Sequence, residues 1–303
     1  MKQLVVLSGK GGSGKTSVTA AFAQLASIEE RPVRVVLADA DVDAANLELV
    51  LAPSLIETGE FWGGEVAIID PDNCGGCGVC EQVCRFDAIL APNGADHVWK
   101  VDPIACDGCA ACVHQCPEEA IQMQLQLAGQ WFHSETRFGP LFHANLRPAQ
   151  ENSGKLVTLI KQRARLLAMD EEYELVLVDG PPGIGCPVIS AASGADLALI
   201  VVEPTVSGVH DMRRILSTTQ HFGLKSLVCI NKADVHPPGT QEIEAFCLHN
   251  GTEVIGRIPY DEEVTQAIVH AQPVTEYRPK APASLSMTEI WERVLTTLRE
   301  PGI

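Results

Sequence analysis

Eight of the eleven cysteines fall in two copies of one spacing, Cys74-x-x-Cys77-x-x-Cys80-x-x-x-Cys84 and Cys106-x-x-Cys109-x-x-Cys112-x-x-x-Cys116-Pro117. A 4Fe-4S cube needs four thiolates arriving from different directions, and C-x-x-C-x-x-C wraps a short loop of small residues around three of its corners. Zinc usually takes paired C-x-x-C knuckles instead of runs of four. A disulfide framework belongs to oxidising compartments, and no signal-peptide pattern opens this sequence. The two runs therefore predict two 4Fe-4S centres.

A second constellation able to do chemistry lies at the amino terminus. The apolar run Gln3 to Leu7 reads as a buried strand, a helical pattern starts at Lys15, and Gly9-x-x-x-x-Gly14-Lys15-Thr16 sits between them. That is the P-loop pattern in the strand-to-helix context it requires. The backbone from Gly9 through Lys10, Gly11, Gly12, Ser13, Gly14, Lys15, Thr16 and Ser17 would cradle phosphate oxygens at a helix start. Lys15 would reach the outer phosphates, and Thr16 would hold Mg2+.

With Lys10 directly after the first glycine, the run Lys10-Gly11-Gly12-Ser13-Gly14-Lys15-Thr16 resembles the deviant Walker motif of the MinD/ParA/Mrp and nitrogenase iron-protein superfamily. The resemblance covers the chain on both sides of the cysteine segment. It implies that Lys10 reaches across a nucleotide-sandwich dimer, and that Val33 to Leu47 holds switch I, with Asp41 positioning the attacking water beside Mg2+ and Asp39 supporting it. Leu175 to Gly183 looks like the Walker B strand and switch II, with Asp179 as a metal-binding carboxylate. Catalysis would then rest on Lys10, Lys15 and Asp41, and Mg2+ on Thr16, Asp41 and Asp179. Asn231 and Lys232, in an Asn-Lys-x-Asp run, and Pro259-Tyr260-Asp261 match the family's base-contacting positions, with ATP expected over GTP. Asp43 reads as the cap of the next helix or turn.

The cysteine runs resemble a two-cluster bacterial ferredoxin, in which the fourth cysteine of each run crosses to the other cluster. By that resemblance Cys74, Cys77, Cys80 and Cys116 hold one cluster, and Cys84, Cys106, Cys109 and Cys112 the other. The flanking sequences repeat as well, strand, loop and short helix, with Arg85 standing where Pro117 follows the second run. Of the other cysteines, Cys229 and Cys247 read as small buried hydrophobes. Cys186 lies in switch II at a position that does not match the dimer-bridging cluster ligands of iron-protein relatives.

These residues need elements to position them. Strand and helix patterns alternate, helix 155–168, strand 174–178, strand 197–202, helix 208–221, strand 226–230, helix 241–249, strand 253–258 and helix 261–270, which predicts an α/β P-loop fold with a mostly parallel sheet and helices on both faces. The pattern breaks near 53–64 and resumes near 152, so the expected division is an ATPase domain over 1–60 and 128–303 with an inserted α+β ferredoxin-like domain over 61–127. Residues 130–150 read as a pair of short strands covering the clusters; His133 and His143, within them, read as surface or satisfied core residues. Ser153 reads as a helix cap. The last helical pattern, 286–298, has an apolar face but few basic residues, so it is expected to pack on its own domain and not on lipid.

The sequence carries 39 acidic and 22 basic residues, a formal net charge of -17. That field repels nucleic acid and suits a basic redox partner. No apolar run is long enough to span a membrane, and the expected location is the cytoplasm. The expected function is an ATPase whose ATP-dependent pairing, as a homodimer or with a paralogue, is coupled to electron transfer through the clusters. Two alternatives are an Mrp-type cluster carrier and a redox-sensing MinD-like ATPase that organises a protein complex.

Overall fold

The computed structural model describes residues 1–28, 32–93, 97–148 and 152–300. The chain forms two compact units, one of residues 1–59, 131–145 and 153–303, the other of 60–130 and 146–152. In chain order the elements begin with β1 (Lys2–Ser8), α1 (Lys15–Ile28), β2 (Val35–Asp39), α2 (Leu47–Leu51) and β3 (Ser54–Ile69). Then come α3 (Val79–Val83), β4 (Ile89–Leu90), β5 (Lys100–Val101), α4 (Ala111–Gln115), β6 (Ile121–Thr136) and β7 (Gly139–Leu146). The remainder alternates: α5 (Ser153–Asp170), β8 (Leu175–Pro182), α6 (Cys186–Ala192), β9 (Leu197–Val202), α7 (Val206–His221), β10 (Ser226–Asn231), α8 (Pro237–His249), β11 (Glu253–Ile258), α9 (Glu262–Val269), α10 (Val274–Tyr277) and α11 (Pro282–Leu298).

The strands order β11-β10-β9-β1-β8-β2-β7-β6-β3. From β11 to β7 every neighbouring pair is parallel. β1, β2, β8 and β9 are covered on both faces, which is why they read as unbroken apolar runs with no alternation. One layer of the core joins α1 to α11, where Phe22 meets Trp291 at 5.0 Å between ring centroids. Ile290, Trp291, Val294, Leu295 and Leu298 are all buried, so the apolar face of the last helix is spent on its own unit. Among the described residues no helix is long and apolar enough to cross a membrane.

Two local expectations are corrected. Residues 130–146 do supply two strands, the end of β6 and β7, but β7 pairs with β2 of the main sheet, Leu37 opposite Leu141 and Ala38 opposite Phe142. Leu141, Phe142 and Ala144 are buried there, and burial beside β2 outweighs any local preference. Residues 54–64, where the P-loop pattern breaks, form the first part of β3, and the two units divide within them, at Gly59. Ser153 is the first residue of α5, with no role as a cap before it. The short helices α2, α6 and α10 lie below the length at which periodicity is legible.

His143 is no ligand. It is buried in β7, stacks on Phe132 at 5.0 Å, and shares a hydrogen bond between Nε2 and Ser134 Oγ at 3.2 Å. Its Nδ1 lies 3.1 Å from Glu48 Oε2 but out of line for a hydrogen bond. Burial lowers its pKa to about 4. The unfolded chain, with His near 6.5, binds more protons between about pH 4 and 6.5. The stability contribution is therefore full above that window and is lost as pH falls through it. Urea unfolding of the wild type at pH 7 and pH 5 should show about 2 kcal/mol of acid loss from this residue, absent in His143→Phe; equal losses in both proteins would refute it.

The second unit is built twice, with corresponding residues 32 apart. Gly76 and Gly108 both have φ +72°. A Cβ on Gly76 would meet His97 O, one on Gly108 would meet Glu65 O, and the two pairs match under the same offset with the halves exchanged. The backbone repeats the exchange: Asp70 N donates to Ala120 O and Asp102 N to Ala88 O, both at 2.8 Å. Ala88 N donates to Cys84 Sγ and Ala120 N to Cys116 Sγ, both at 3.4 Å. Each half thus completes its loop with groups of the other.

Candidate nucleotide and cysteine sites

The phosphate loop runs from the end of β1 into α1, at the carboxyl edge of the parallel sheet where α/β folds place their ligands. It lines a cleft of about 540 Å³ together with Asp41, Asp43, Asn46, Pro181, Pro182 and Pro187. Gly14 has φ +90°, and a side chain there would collide with the Asn231 amide. Only glycine lets the loop turn so close to β10. Ser13 Oγ, at the floor of the loop, is buried with no hydrogen-bond partner among the described residues, as a group waiting for an anionic oxygen would be.

Lys15 is 5 % exposed and faces three carboxylates. Its Nζ donates to Asp179 Oδ1 at 3.1 Å and lies 3.8 Å from Asp41 Oδ2. Burial works against its charge, but Asp179, Asp39 and Asp41 outweigh it and hold the ammonium above the usual lysine range. Thr16 Oγ1 donates to Asp179 Oδ2 at 2.7 Å, and Asp41 Oδ2 lies 3.8 Å from the same Lys15, so hard oxygen donors of all three side chains gather near Lys15. That donor chemistry fits Mg2+.

Asp39 is fully buried. Its Oδ1 accepts from Asp41 N at 3.1 Å, and its Oδ2 from Asn46 N at 3.1 Å and Leu47 N at 3.0 Å, which folds residues 41–47 back over the cleft. Burial and the charge of Asp179 raise its pKa to about 8, against Lys15 and those donors. Burial raises Asp41 to about 6, with Lys15 opposing. Asp43 does not cap the following helix; the residue before α2 is Asn46, and Asp43 lines the cleft.

The residues expected to contact a base are not among those that line this cleft. Asn231 donates from Nδ2 to Ser13 O at 2.8 Å and so braces the phosphate loop. Lys232 pairs with Glu203 at 2.5 Å. Tyr260 N donates to Asp234 Oδ1 at 2.7 Å, and Asp261 caps α9 by accepting from Glu263 N while also taking Ala283 N. Pro259, Tyr260 and Asp261 do not line the phosphate cleft.

Two contributors escaped sequence reading. Glu203, just past β9, holds Lys10 Nζ at 2.8 Å with one oxygen and Lys232 with the other, and these two lysines keep its carboxyl below the usual range against the effect of burial. Like Asp41 and Asp179, Glu203 follows an apolar strand of the parallel sheet, whose carboxyl ends form the ligand crevice. Thr19, one helical turn beyond Lys15, donates to Asp179 Oδ1 at 3.1 Å and fixes its orientation.

In the second unit, Cys74, Cys77, Cys80 and Cys116 line one small recess with Trp99 and Ile121. The fourth cysteine of the second run thus closes the loop of the first. Cys80 belongs to the unit's small apolar core with Ala67, Ile89 and Ile121, and Cys84, Cys106, Cys112 and Cys116 pack against it. Burial pushes the Cys80 and Cys112 thiols up. Among the described residues no three His, Cys, Asp or Glu side chains converge closely enough to hold a metal ion by themselves. Cys229 and Cys247 are buried, Cys229 pushed up to about 12 and Cys247 to about 11, and both are inert fillers.

A parallel sheet with a phosphate loop after its first strand, a lysine among carboxylates and a threonine on the Walker B aspartate define a P-loop nucleotide-binding protein. The family model described as the CobQ/CobB/MinD/ParA nucleotide binding domain matches residues 4–274, and the chain belongs to that family. An uncharacterized protein of Methanocaldococcus jannaschii is 34 % identical over 292 residues, 96 % of either chain. Among solved structures, the Pyrococcus horikoshii septum site-determining protein MinD, complexed with Mg-ADP, matches with a TM-score of 0.57 at 18 % identity, over 97 % of this chain and 95 % of that one. The MinC:MinD cell division protein complex of Aquifex aeolicus matches with a TM-score of 0.59 at 20 % identity, over 100 % and 98 %. These structural likenesses carry the α/β P-loop fold.

Proposed function

We propose that this protein is a Mg2+- and ATP-dependent switch of the MinD type that pairs on binding ATP and organises a partner protein, with two 4Fe-4S clusters in its second unit reporting redox state to it. The observation that carries the switch is Lys15 buried among Asp39, Asp41 and Asp179. One buried cation already shared by neighbouring carboxyl groups is a setting that takes a phosphate chain together with a divalent ion. Solved relatives that hold Mg-ADP or stand in complex with a partner support this reading over one centred on electron delivery.

Lys15 and the loop amides bind and orient the phosphates, Asp41 places the attacking water, and Asp179, aligned by Thr19, holds its position beside Thr16. Mg2+ on Thr16, Asp41 and Asp179 would supply charge neutralisation. Asn231, Lys232 and Pro259 to Asp261 form the base end, for which adenine is our reading.

Lys10 serves in trans in this proposal, and within one chain Glu203 holds it back. Light scattering with ATP should therefore show Lys10→Ala remaining monomeric, and Glu203→Gln pairing at an ATP concentration about fivefold lower than wild type, the worth of one half-exposed ion pair. Pairing by Lys10→Ala at wild-type ATP concentrations would exclude this role.

The cysteine recess fits a cluster: four thiols from both runs line it, and a unit this small has little other core. Cys74, Cys77, Cys80 and Cys116 would hold one cluster and Cys84, Cys106, Cys109 and Cys112 the other, supplying one-electron redox chemistry. Electron delivery to a basic partner is the second reading, favoured by the duplicated build of this unit and the acidic charge around it.

A further inference from the structure

Helix α6 is only seven residues, about 10 Å long, with its start at the phosphate cleft and its end on α5. At its start Pro187 lines the phosphate cleft. At its end the Lys161 ammonium, on α5, donates to Ser190 O at 2.7 Å, Ala191 O at 2.7 Å and Ser193 O at 2.6 Å. Lys161 is 7 % exposed, and a lysine buried this far is there for those carbonyls, the negative end of the α6 dipole. The first turn of α5 presses on α6 as well: a Cβ on Gly154 would lie 3.1 Å from Ser190 Oγ and 3.7 Å from the Cys186 carbonyl.

Helix α5 also grips the places where the chain passes between the two units. Ser153, its first residue, is one crossing. Trp131, where β6 crosses, lies under the Arg163 guanidinium, 3.4 Å from its ring centroid, and is 6 % exposed. Gly59, where β3 crosses, sits against the same indole, and Thr58 Oγ1 donates to Trp131 O at 3.1 Å. Three of the four crossings thus meet one helix or the tryptophan it holds.

We propose that α5 is the transmission element of this protein: Lys161 fixes it to α6, Arg163 fixes it to Trp131, and a nucleotide-driven shift of α6 is passed to the strands that enter the cysteine-bearing unit. The inference rests on the nucleotide reading above and is independent of whether clusters are bound. Lys161 and Arg163 are positioning residues, since neither touches the phosphate cleft.

Hydrogen exchange of the full chain, with and without Mg2+ and the non-hydrolysable analogue AMP-PNP, tests it. In the wild type the analogue should slow exchange at residues 9–16 and change it at least threefold across β6. Lys161→Met should keep the first response and lose the second, Lys161→Arg should restore the second, and Arg163→Gln, which leaves α6 capped, should lose it too. A β6 response that survives both Lys161→Met and Arg163→Gln overturns the proposal, as does a wild type that responds at 9–16 only. A wild type with no response at 9–16 overturns the nucleotide reading, and this inference with it.

Discussion

Lys15→Ala is expected to lower ATP hydrolysis by about 100- to 1,000-fold, the cost of removing a preorganised charge from a phosphate site. The same substitution should destabilise the ligand-free protein by about 3–5 kcal/mol. Both effects follow from one geometry. Lys15 is the cation that Asp179, Asp39 and Asp41 share, and without it these neighbouring carboxyl groups, two of them buried, lose their counter-charge. Asp41, raised to about 6 by burial with Lys15 opposing, would rise further. The folded mutant would then bind more protons than folded wild type between pH 7 and 5, so its deficit against wild type should shrink as pH falls through that range. Phosphate release and urea unfolding at the two pH values measure this. Hydrolysis within tenfold of wild type would remove Lys15 from the phosphate site, and a deficit that grows on acidification would contradict the carboxylate account.

The second large effect concerns iron. Protein prepared without oxygen should hold about eight irons per chain, and the recess makes a sharper statement than the total. Cys116 lines the same recess as Cys74, so Cys74→Ala and Cys116→Ala should each lose about half the iron, and the double variant should lose no more than either single one. Cys74→Ala combined with Cys84→Ala should lose nearly all. If instead Cys74→Ala with Cys116→Ala strips both centres, each run binds its own cluster and the crossing is wrong. Wild type with no iron would leave the second unit a cysteine-rich module of another kind and remove the redox half of the proposal.

The phosphate loop was legible because its chemistry is local. Nine consecutive residues supply the amides, the lysine and the threonine, and a strand before and a helix after are both visible in the pattern of apolar residues. The carboxylates were legible by the family motif and by a second local rule, an aspartate following a buried strand, which fits Asp41 and Asp179. Glu203 obeys the same rule, yet its meaning depends on Lys10 and Lys232 arriving from two other strand ends. Asn231 shows the reverse case. Its neighbourhood in sequence pointed to a base, while the fold brings its amide to Ser13 O, 218 positions away.

By itself the sequence determined which groups can do chemistry, the phosphate loop, its carboxylates and two cysteine runs, and the alternation that makes a parallel sheet. It determined these because periodicity and short motifs are set by residues within a turn or two of each other. Only the tertiary structure decided that residues 139–146 extend the main sheet beside β2 and that Lys161 caps a helix 29 positions further on. Each of those depends on contacts between distant segments, where burial and the pairing of polar groups outweigh local preference, and no short stretch of chain contains that information.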